Sequence, residues 1–117
     1  LLDRYYSDRR DPLVAFAGQM TGVEGYVESC ASGYLAAVSM AARLNGAPVP
    51  DFTNRTAIGA LGKYISDPSV TAFQPMNVNF GIIAPLEQRV KGKSNKNLAI
   101  AERALAQLEA MRNEGLA

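Results

Sequence analysis

The spacing of glycines in the first quarter of the chain constrains its fold more than any other feature. An apolar run over residues 13–17 ends at Gly18-Gln19, and Gly22 and Gly25 follow before a long helical pattern begins. The order strand, glycine turn, helix exposes backbone N–H groups at the start of the helix, where anionic or electron-rich ligands bind. The segment therefore predicts either a ligand-binding turn or a tight strand–helix connection whose glycines serve packing alone.

A closer interpretation of this turn comes from two polar side chains. Thr21 and Glu24 have the spacing of a capping box, which predicts that the helix begins at Gly22. The N–H groups of Gly22 and Val23 then point outward, with the positive end of the helix dipole behind them. Gln19 adds a side-chain amide at the same place. The candidate cofactor-binding residues are Gly18, Gln19, Thr21, Gly22 and Val23.

Composition excludes several classes of protein. The 117 residues are 48% hydrophobic with a net charge of +1, so any nucleic-acid contact must be a local patch. The chain has one cysteine and no histidine, which argues against disulfide frameworks, against a metal site and against the commonest general base. It has no apolar run of membrane-span length and no signal-peptide pattern. We expect a cytoplasmic protein without a membrane partner. Because the chain begins at Leu1 without methionine, we also expect a piece of something larger.

Hydrophobic periodicity predicts a mainly α chain with one or two short strands. The expected elements are a strand over residues 13–17 and helices over about 22–45, from 53–56 to 66, and 97–114, with an irregular segment over 69–86. The first helix has an apolar stripe that we expect to be buried, including an inert Cys30; it comprises Val23, Val27, Cys30, Tyr34, Val38 and Ala41. The buried side predicted for the last helix comprises Leu98, Ala101, Leu105, Leu108 and Met111 or Arg112.

Two further segments have residues suited to binding. In Phe73–Gly81 the amides Asn77 and Asn79 fall on one side of an extended chain, where with Gln74 they form a candidate substrate site for a heterocycle. The alternative is a buried loop whose amides satisfy backbone groups. Residues 88–96 contain four cations and no acid, so Arg89, Lys91, Lys93 and Lys96 are candidates for contact with phosphate. The alternative is a solvated loop before a helix.

Four segments, 16–29, 57–65, 73–81 and 101–105, resemble in order the folate- and FAD-dependent tRNA uracil-5-methyltransferases, which make ribothymidine in the tRNA T-loop. In relatives of this kind Glu-Ser-Ala-Ala-Ser-Gly is common, whereas this chain has Glu-Ser-Cys-Ala-Ser-Gly. The resemblance implies FAD as cofactor, methylenetetrahydrofolate and NAD(P)H as co-substrates, and tRNA as partner. It implies that the turn over residues 18–23 stabilises charge on a reduced flavin, and that Gln74, Asn77 and Asn79 contact folate or the target uracil.

The resemblance also implies an organisation. The chain corresponds to the C-terminal part of such an enzyme, a fragment of a Rossmann-like α/β FAD-binding fold plus a helical tail. Residues 1–48 would be the final strand–turn–helix of the FAD-binding domain, and residues 49–117 a helical C-terminal region. The family's amino-terminal G-x-G-x-x-G segment and catalytic cysteine have no counterpart here, so we predict no catalytic residue, no activity and no bound cofactor for the isolated piece.

Two other functions stay open at this stage. One is the related flavoprotein family that modifies the wobble uridine of tRNA, which shares the glycine turn but is not expected to have the Phe73–Gly81 motif. The other is a non-catalytic helical module that binds RNA or protein. We also expect self-association, because an isolated piece of this fold leaves a strand edge and the stripe of the first helix uncovered.

Overall fold

The computed structural model describes residues 1–70, 74–75 and 77–115, which form a mainly helical protein, as predicted. Its helices are α1 (Tyr26–Leu44), α2 (Ala57–Ser66) and α3 (Lys93–Asn113), and a short 3₁₀ turn spans Gln19–Thr21. The strand predicted over residues 13–17 is wrong. In its place is an isolated antiparallel bridge between Ser7 and Ala15. The residues on either side of this pair do not continue the pairing, so no ladder forms.

The first 16 residues fold back on themselves and are fixed to the end of α1 by one arginine. The Arg43 guanidinium donates to Ser7 Oγ at 2.6 Å, to the Pro12 carbonyl oxygen at 3.1 Å and to Asp3 Oδ2 at 3.0 Å. It also lies over the Tyr5 ring, 5.6 Å from the centroid. A single side chain thus holds three points of the N-terminal segment against the helix.

The core is small and forms where this segment, α1 and α2 meet, with contributions from Val23 before α1 and from Met111 of α3. Tyr6 lies at its centre with 1% of its surface exposed, and burial raises the pKa of its phenol to about 12. The buried hydrophobic residues that cluster with it are Val23, Leu35, Ala36, Phe52, Leu61 and Met111. Several large apolar side chains are left at the surface as a result.

α1 begins four residues later than predicted and buries a different face. Its buried residues are small or aliphatic, namely Ser32, Leu35, Ala36 and Ser39. The serine hydroxyls are satisfied within the helix, Ser32 by the Ser29 carbonyl at 2.7 Å and Ser39 by the Ala36 carbonyl at 3.0 Å, so their burial leaves no unpaired donor. Small side chains let the N-terminal segment approach this face, and the predicted stripe is turned outward.

The outward face of α1 includes most of the stripe that was expected to be buried. Tyr26 is 97% exposed and Val27 79% exposed, and Tyr34 is about half exposed. Cys30 lies among them as an exposed free thiol, so the prediction of a buried cysteine is wrong. Together with Ala31 and Ile58 these side chains line a shallow apolar groove of about 520 Å³.

α2 was predicted correctly. It begins after Thr56, whose hydroxyl accepts from the Gly59 N–H at 3.1 Å and donates to the Phe52 carbonyl at 2.9 Å. Glycine is required at the next turn, because a Cβ on Gly59 would overlap the Thr53 carbonyl, and one on Gly62 would overlap the Arg4 carbonyl. The helix therefore packs closely on its own entry loop and on the N-terminal segment.

α3 begins at Lys93, four residues earlier than predicted, and its buried residues are Ile100 and Met111. The predicted buried side is wrong for Leu98 and Leu105, which are 58% and 66% exposed. Arg103 ties the helix to the segment before it by donating to the carbonyls of Ala84 and Pro85. The irregular segment predicted over 69–86 contains no helix in its described residues, as expected. No described helix is long and apolar enough to cross a membrane.

Candidate functional site

The glycine turn, residues 18–25, is held together by its own backbone. The Gly18 N–H donates to Ser32 Oγ at 2.8 Å, and the Gly18 carbonyl accepts from both the N–H and the hydroxyl of Thr21, at 3.0 and 2.7 Å. The Gly22 N–H donates to the Gln19 carbonyl at 3.1 Å. Of the two N–H groups predicted to point outward, that of Gly22 is therefore satisfied inside the protein.

The capping box predicted from Thr21 and Glu24 does not form. Gly22 has a left-handed φ of 101° and ends the 3₁₀ turn, and α1 begins only after Gly25, which has a φ of 104°. Thr21, Gly22 and Val23 are buried, whereas Gln19 and Gly25 are exposed. Residues with the composition of a capping box instead make a tight turn, because Thr21 bonds backwards to Gly18 rather than forwards to the helix.

The free end of the helix dipole thus lies further along the chain than predicted. The first N–H groups of α1 belong to Tyr26, Val27 and Glu28, and only the Ser29 N–H reaches back to the Gly25 carbonyl, at 3.0 Å. Sequence reasoning missed Gly25 and Glu28 as members of this site. The signal that could have found them is the third glycine, since only glycine adopts such a φ readily next to a helix start.

The asparagine segment, of which residues 74–75 and 77–81 are described, lies against this helix start. Asn77 Nδ2 donates to the Glu24 carbonyl at 2.8 Å, and the Val78 N–H and Asn77 Nδ2 both point to Glu28 Oε1 at 3.4 Å. A Cβ built on Gly25 would lie 2.7 Å from Asn77 Nδ2 and closer still to the Glu28 carboxylate. The structure therefore brings the glycine turn and the asparagine segment together at Gly25, where there is no room for a side chain.

The other two predicted substrate residues have different surroundings. Gln74 is exposed, and Asn79 Oδ1 accepts from the Gly81 N–H at 2.8 Å. The amides of Asn77 and Asn79 thus bond backbone groups, as the alternative interpretation of this segment expected, although both residues are exposed rather than buried. Phe73 and Met76 of the predicted motif lie outside the described residues.

Asn79 also borders an apolar groove of about 480 Å³ between the asparagine segment and α3. Its remaining walls are formed by the side chains of Ala57, Val78, Phe80, Ile83, Ile100, Ala101 and Ala104. The size and apolar lining are typical of small-molecule sites.

The flavin implied by the resemblance can be tested against these residues. Thr21, Gly22 and Val23 are buried and present no surface to a ring, so they fit a supporting role behind the turn. The exposed Gln19 amide, the bare Gly25 and the first N–H groups of α1 fit the edge of a flat electron-rich ring. The Glu28 carboxylate occupies part of the same helix end through its contact with Val78. The fit is thus to the start of α1 rather than to Gly22.

The basic residues lie partly on α3 rather than in a loop. Lys93 and Lys96 are in the first turn of the helix, which follows Gly92 and has no acidic residue. Arg89 and Lys96 line one cavity of about 250 Å³. The positive end of the helix dipole repels cations placed at the N-terminus, and a bound anion at this end offsets that repulsion.

The described residues contain no group of three or more histidine, cysteine, aspartate or glutamate side chains arranged to hold a metal ion. Cys30 is exposed on α1, at the centre of the apolar groove there. Neither feature identifies a catalytic centre.

Comparison with known proteins finds a family model and curated relatives. A family model described as glucose inhibited division protein A matches residues 1–48. The chain is 53% identical over 114 residues to methylenetetrahydrofolate–tRNA-(uracil-5-)-methyltransferase TrmFO of Streptococcus agalactiae, covering 97% of this chain and 26% of the relative. The proteins of the same name from Desulfitobacterium hafniense and Lactiplantibacillus plantarum are 48% and 47% identical, over 89% and 99% of this chain and 24% and 26% of theirs. The chain spans about a quarter of the length of these curated relatives.

Proposed function

Because the chain belongs to the methylenetetrahydrofolate–tRNA-(uracil-5-)-methyltransferase family, we propose that it is the C-terminal part of a cytoplasmic enzyme that methylates uracil C5 in the T-loop of tRNA. The observation that carries this proposal is an identity of about half over nearly the whole chain, including the asparagine segment. The relatives that match residues of both the first and the last helix have the methyltransferase name, which favours this function over a wobble-uridine enzyme or a helical binding module.

In this proposal the chain supplies part of a flavin site and is inactive alone. Residues 1–48, which the family model also matches, end the Rossmann-like FAD-binding domain, and residues 49–117 are the helical C-terminal region. When bound, FAD supplies the redox chemistry that converts a one-carbon unit from methylenetetrahydrofolate into a methyl group, with NAD(P)H as reductant. Gly18, Gln19, Thr21, Gly22 and Val23 would form the cofactor-side turn.

Exposure favours some of these residues over others for contact with the ring. Gln19 and the start of α1 at Gly25 are exposed, and their donors are suited to the electron-rich edge of a flavin. Thr21, Gly22 and Val23 hold the turn from behind. Asn77 fixes the helix start through the Glu24 carbonyl, which would leave Gln74 and Asn79 to face folate or uracil from the neighbouring segment.

The proposed tRNA contact is the basic group of Arg89, Lys91, Lys93 and Lys96. Its support is the absence of an acid in the first turn of α3 and the cavity that Arg89 and Lys96 share. Phosphate oxygens would be stabilised there by the side-chain charges and by the helix dipole together.

The test is to join the chain to the amino-terminal part of a TrmFO relative and to measure flavin absorbance after purification. We expect a yellow protein, and we expect Gly25→Val and Gly22→Val to lose the colour. Gly46→Val is the matched control, because Gly46 also has a positive φ, of 66°, yet a Cβ there would meet nothing within 4 Å. A colourless parent, or a Gly25 variant as yellow as the Gly46 control, would contradict the proposed site.

A further inference from the structure

α3 has a largely exposed apolar row, one residue of which, Ala101, also borders the groove between the asparagine segment and α3. Leu98, Ala101, Leu105 and Leu108 follow one another at spacings of three, four and three residues. Leu98 and Leu105 are more than half exposed, Ala101 is exposed, and only Leu108 packs partly on the core. We refer to these four residues as the α3 seam. Alternation of three and four is the spacing at which one helix packs along another.

The seam contains a depression of the shape that such packing needs. Leu105, Leu108, Glu109 and Arg112 line a groove of about 360 Å³. Their positions i, i+3, i+4 and i+7 are those of the four residues that form a hole for one side chain of a facing helix. Glu109 and Arg112 lie 3.7 Å apart at the rim as an exposed ion pair.

The charge along α3 indicates the direction of the facing helix. The first turn has Lys93 and Lys96 with no acid, and Lys91 lies just before it; at the other end Glu109 and the capping residue Glu114 outnumber Arg112. The helix dipole has the same polarity, positive at the N-terminus and negative at the C-terminus. A helix of the same charge pattern is therefore attracted in the antiparallel direction and repelled in the parallel one.

We propose that the α3 seam binds a second copy of this chain, with the two α3 helices antiparallel about a two-fold axis. Leu98 of each copy enters the groove of Leu105, Leu108, Glu109 and Arg112 of the other, so Leu98 faces Leu108. In the same register Ala101 faces Leu105, a small side chain against a large one, and all four seam residues are covered. A two-fold interface is self-complementary, as this pairing requires.

In this register one pair of like charges opposes association, and this repulsion distinguishes the register from other arrangements. The axis passes near residue 103, and the exposed Glu102 of one copy then approaches Glu102 of the other beside the seam. Two carboxylates that approach each other repel, so Glu102→Gln should lower the dimer dissociation constant. An arrangement through the exposed face of α1 would leave the two Glu102 side chains apart and would not respond to this change.

Cysteine cross-linking of the 117-residue chain tests the register. With Cys30 replaced by serine, Ala101→Cys and Leu105→Cys variants of different mass are mixed and mildly oxidised. Antiparallel pairing gives mostly the mixed disulfide dimer. Dimers of each variant with itself would indicate parallel pairing and overturn the proposal, as would the absence of any cross-link.

Sedimentation over a dilution series tests whether the seam drives association. Leu105→Lys should raise the dimer dissociation constant at least tenfold, and Ala106→Lys, which places the same charge on an exposed position outside the seam, should leave it within about twofold. Circular dichroism confirms that both variants remain folded, as expected for exposed sites. A chain that is monomeric at every concentration, or one that Val27→Asp dissociates while Leu105→Lys does not, overturns the proposal.

Discussion

The side-chain amide of Asn77 donates to the backbone carbonyl of Glu24 at 2.8 Å, across 53 residues of sequence. The same amide lies 3.4 Å from the Glu28 carboxylate, so one asparagine ties the asparagine segment to the start of α1. Among the described residues no shorter side-chain hydrogen bond joins these two segments. Whatever binds near Gly25 therefore depends on a contact supplied from a distant part of the chain.

We predict that Asn77→Ala lowers the free energy of unfolding by about 1 kcal/mol, the usual net contribution of one hydrogen bond. Asn77→Asp should cost more, because its carboxylate would face the Glu24 carbonyl and the Glu28 carboxylate without a proton to donate. Urea unfolding measures both values. Asn95→Ala removes an exposed side-chain bond within the start of α3 and serves as the control. Equal losses for the alanine and aspartate variants at position 77 would contradict the role of Asn77 as donor.

Replacing Arg43 should destabilise the protein more than replacing any single surface cation. Its guanidinium bonds Ser7, Pro12 and Asp3 at once, and bonds to charged groups are worth about 1.5–3 kcal/mol each when geometry is good. Arg43→Ala is expected to cost about 2–3 kcal/mol in urea unfolding. Arg43→Lys should recover only part of this, since an ammonium cannot reproduce the planar fork.

The control for Arg43 is Arg10→Ala. Arg10 is exposed, and among the described residues its side chain bonds only Asp8. This hydrogen bond lowers the pKa of the Asp8 carboxyl. Exposed pairs of this kind contribute little to the free energy of unfolding. If the Arg43 and Arg10 variants were equally stable, the N-terminal segment would not depend on Arg43.

The sequence predicted the ends of a helix where a capping residue or a proline marks them. The start of α2 was found because Thr56 caps its own helix, and its end because Asp67-Pro68 stops it. The first four residues of α3 were missed. The helix begins directly after Gly92, and the lysine at its first position gives no capping signal in the sequence. Both ends of α2 were therefore predicted well, whereas the starts of α1 and α3 were each missed by four residues.

The buried faces were predicted less well, for a physical reason. Periodicity shows that α1 and α3 each have an apolar side, but it does not show which side a neighbouring segment covers. Ser32 and Ser39 are buried because their hydroxyls bond the helix itself, whereas Val27 and Leu105 remain outside. The same limit affected the candidate site: Thr21 fits two turns equally by sequence, and the bond to Gly18 decides between them.

The basic group at the start of α3 should set the salt dependence of tRNA binding. In the joined, flavin-containing protein, Lys96→Ala is expected to weaken binding of unmodified tRNA and to reduce the slope of log affinity against log salt by about 1. Arg10→Ala, which removes a cation at the opposite end of the sequence, should leave the slope unchanged. A gel-shift series at several salt concentrations measures both slopes. Equal slopes for the Lys96 variant and the parent would contradict the proposed contact.

The buried Tyr6 phenol should make stability fall at alkaline pH. Burial raises its pKa from about 10 in the unfolded chain to about 12 in the folded protein. Below pH 10 both states hold the proton and the stability is fully present. As the pH rises from about 10 to about 12, the unfolded state loses the proton first, so the free energy of unfolding falls by on the order of 2–3 kcal/mol.

Tyr6→Phe isolates this contribution from the other four tyrosines and the lysines, which titrate in the same range. Phenylalanine keeps the ring in the core and has no proton to lose. Urea unfolding of both proteins at pH 8 to 12 should show the parent losing stability more steeply than the variant, with the two curves diverging only above about pH 10. Parallel curves over that range would mean that the Tyr6 hydroxyl reaches water in the folded protein, and the N-terminal segment would then not seal the core.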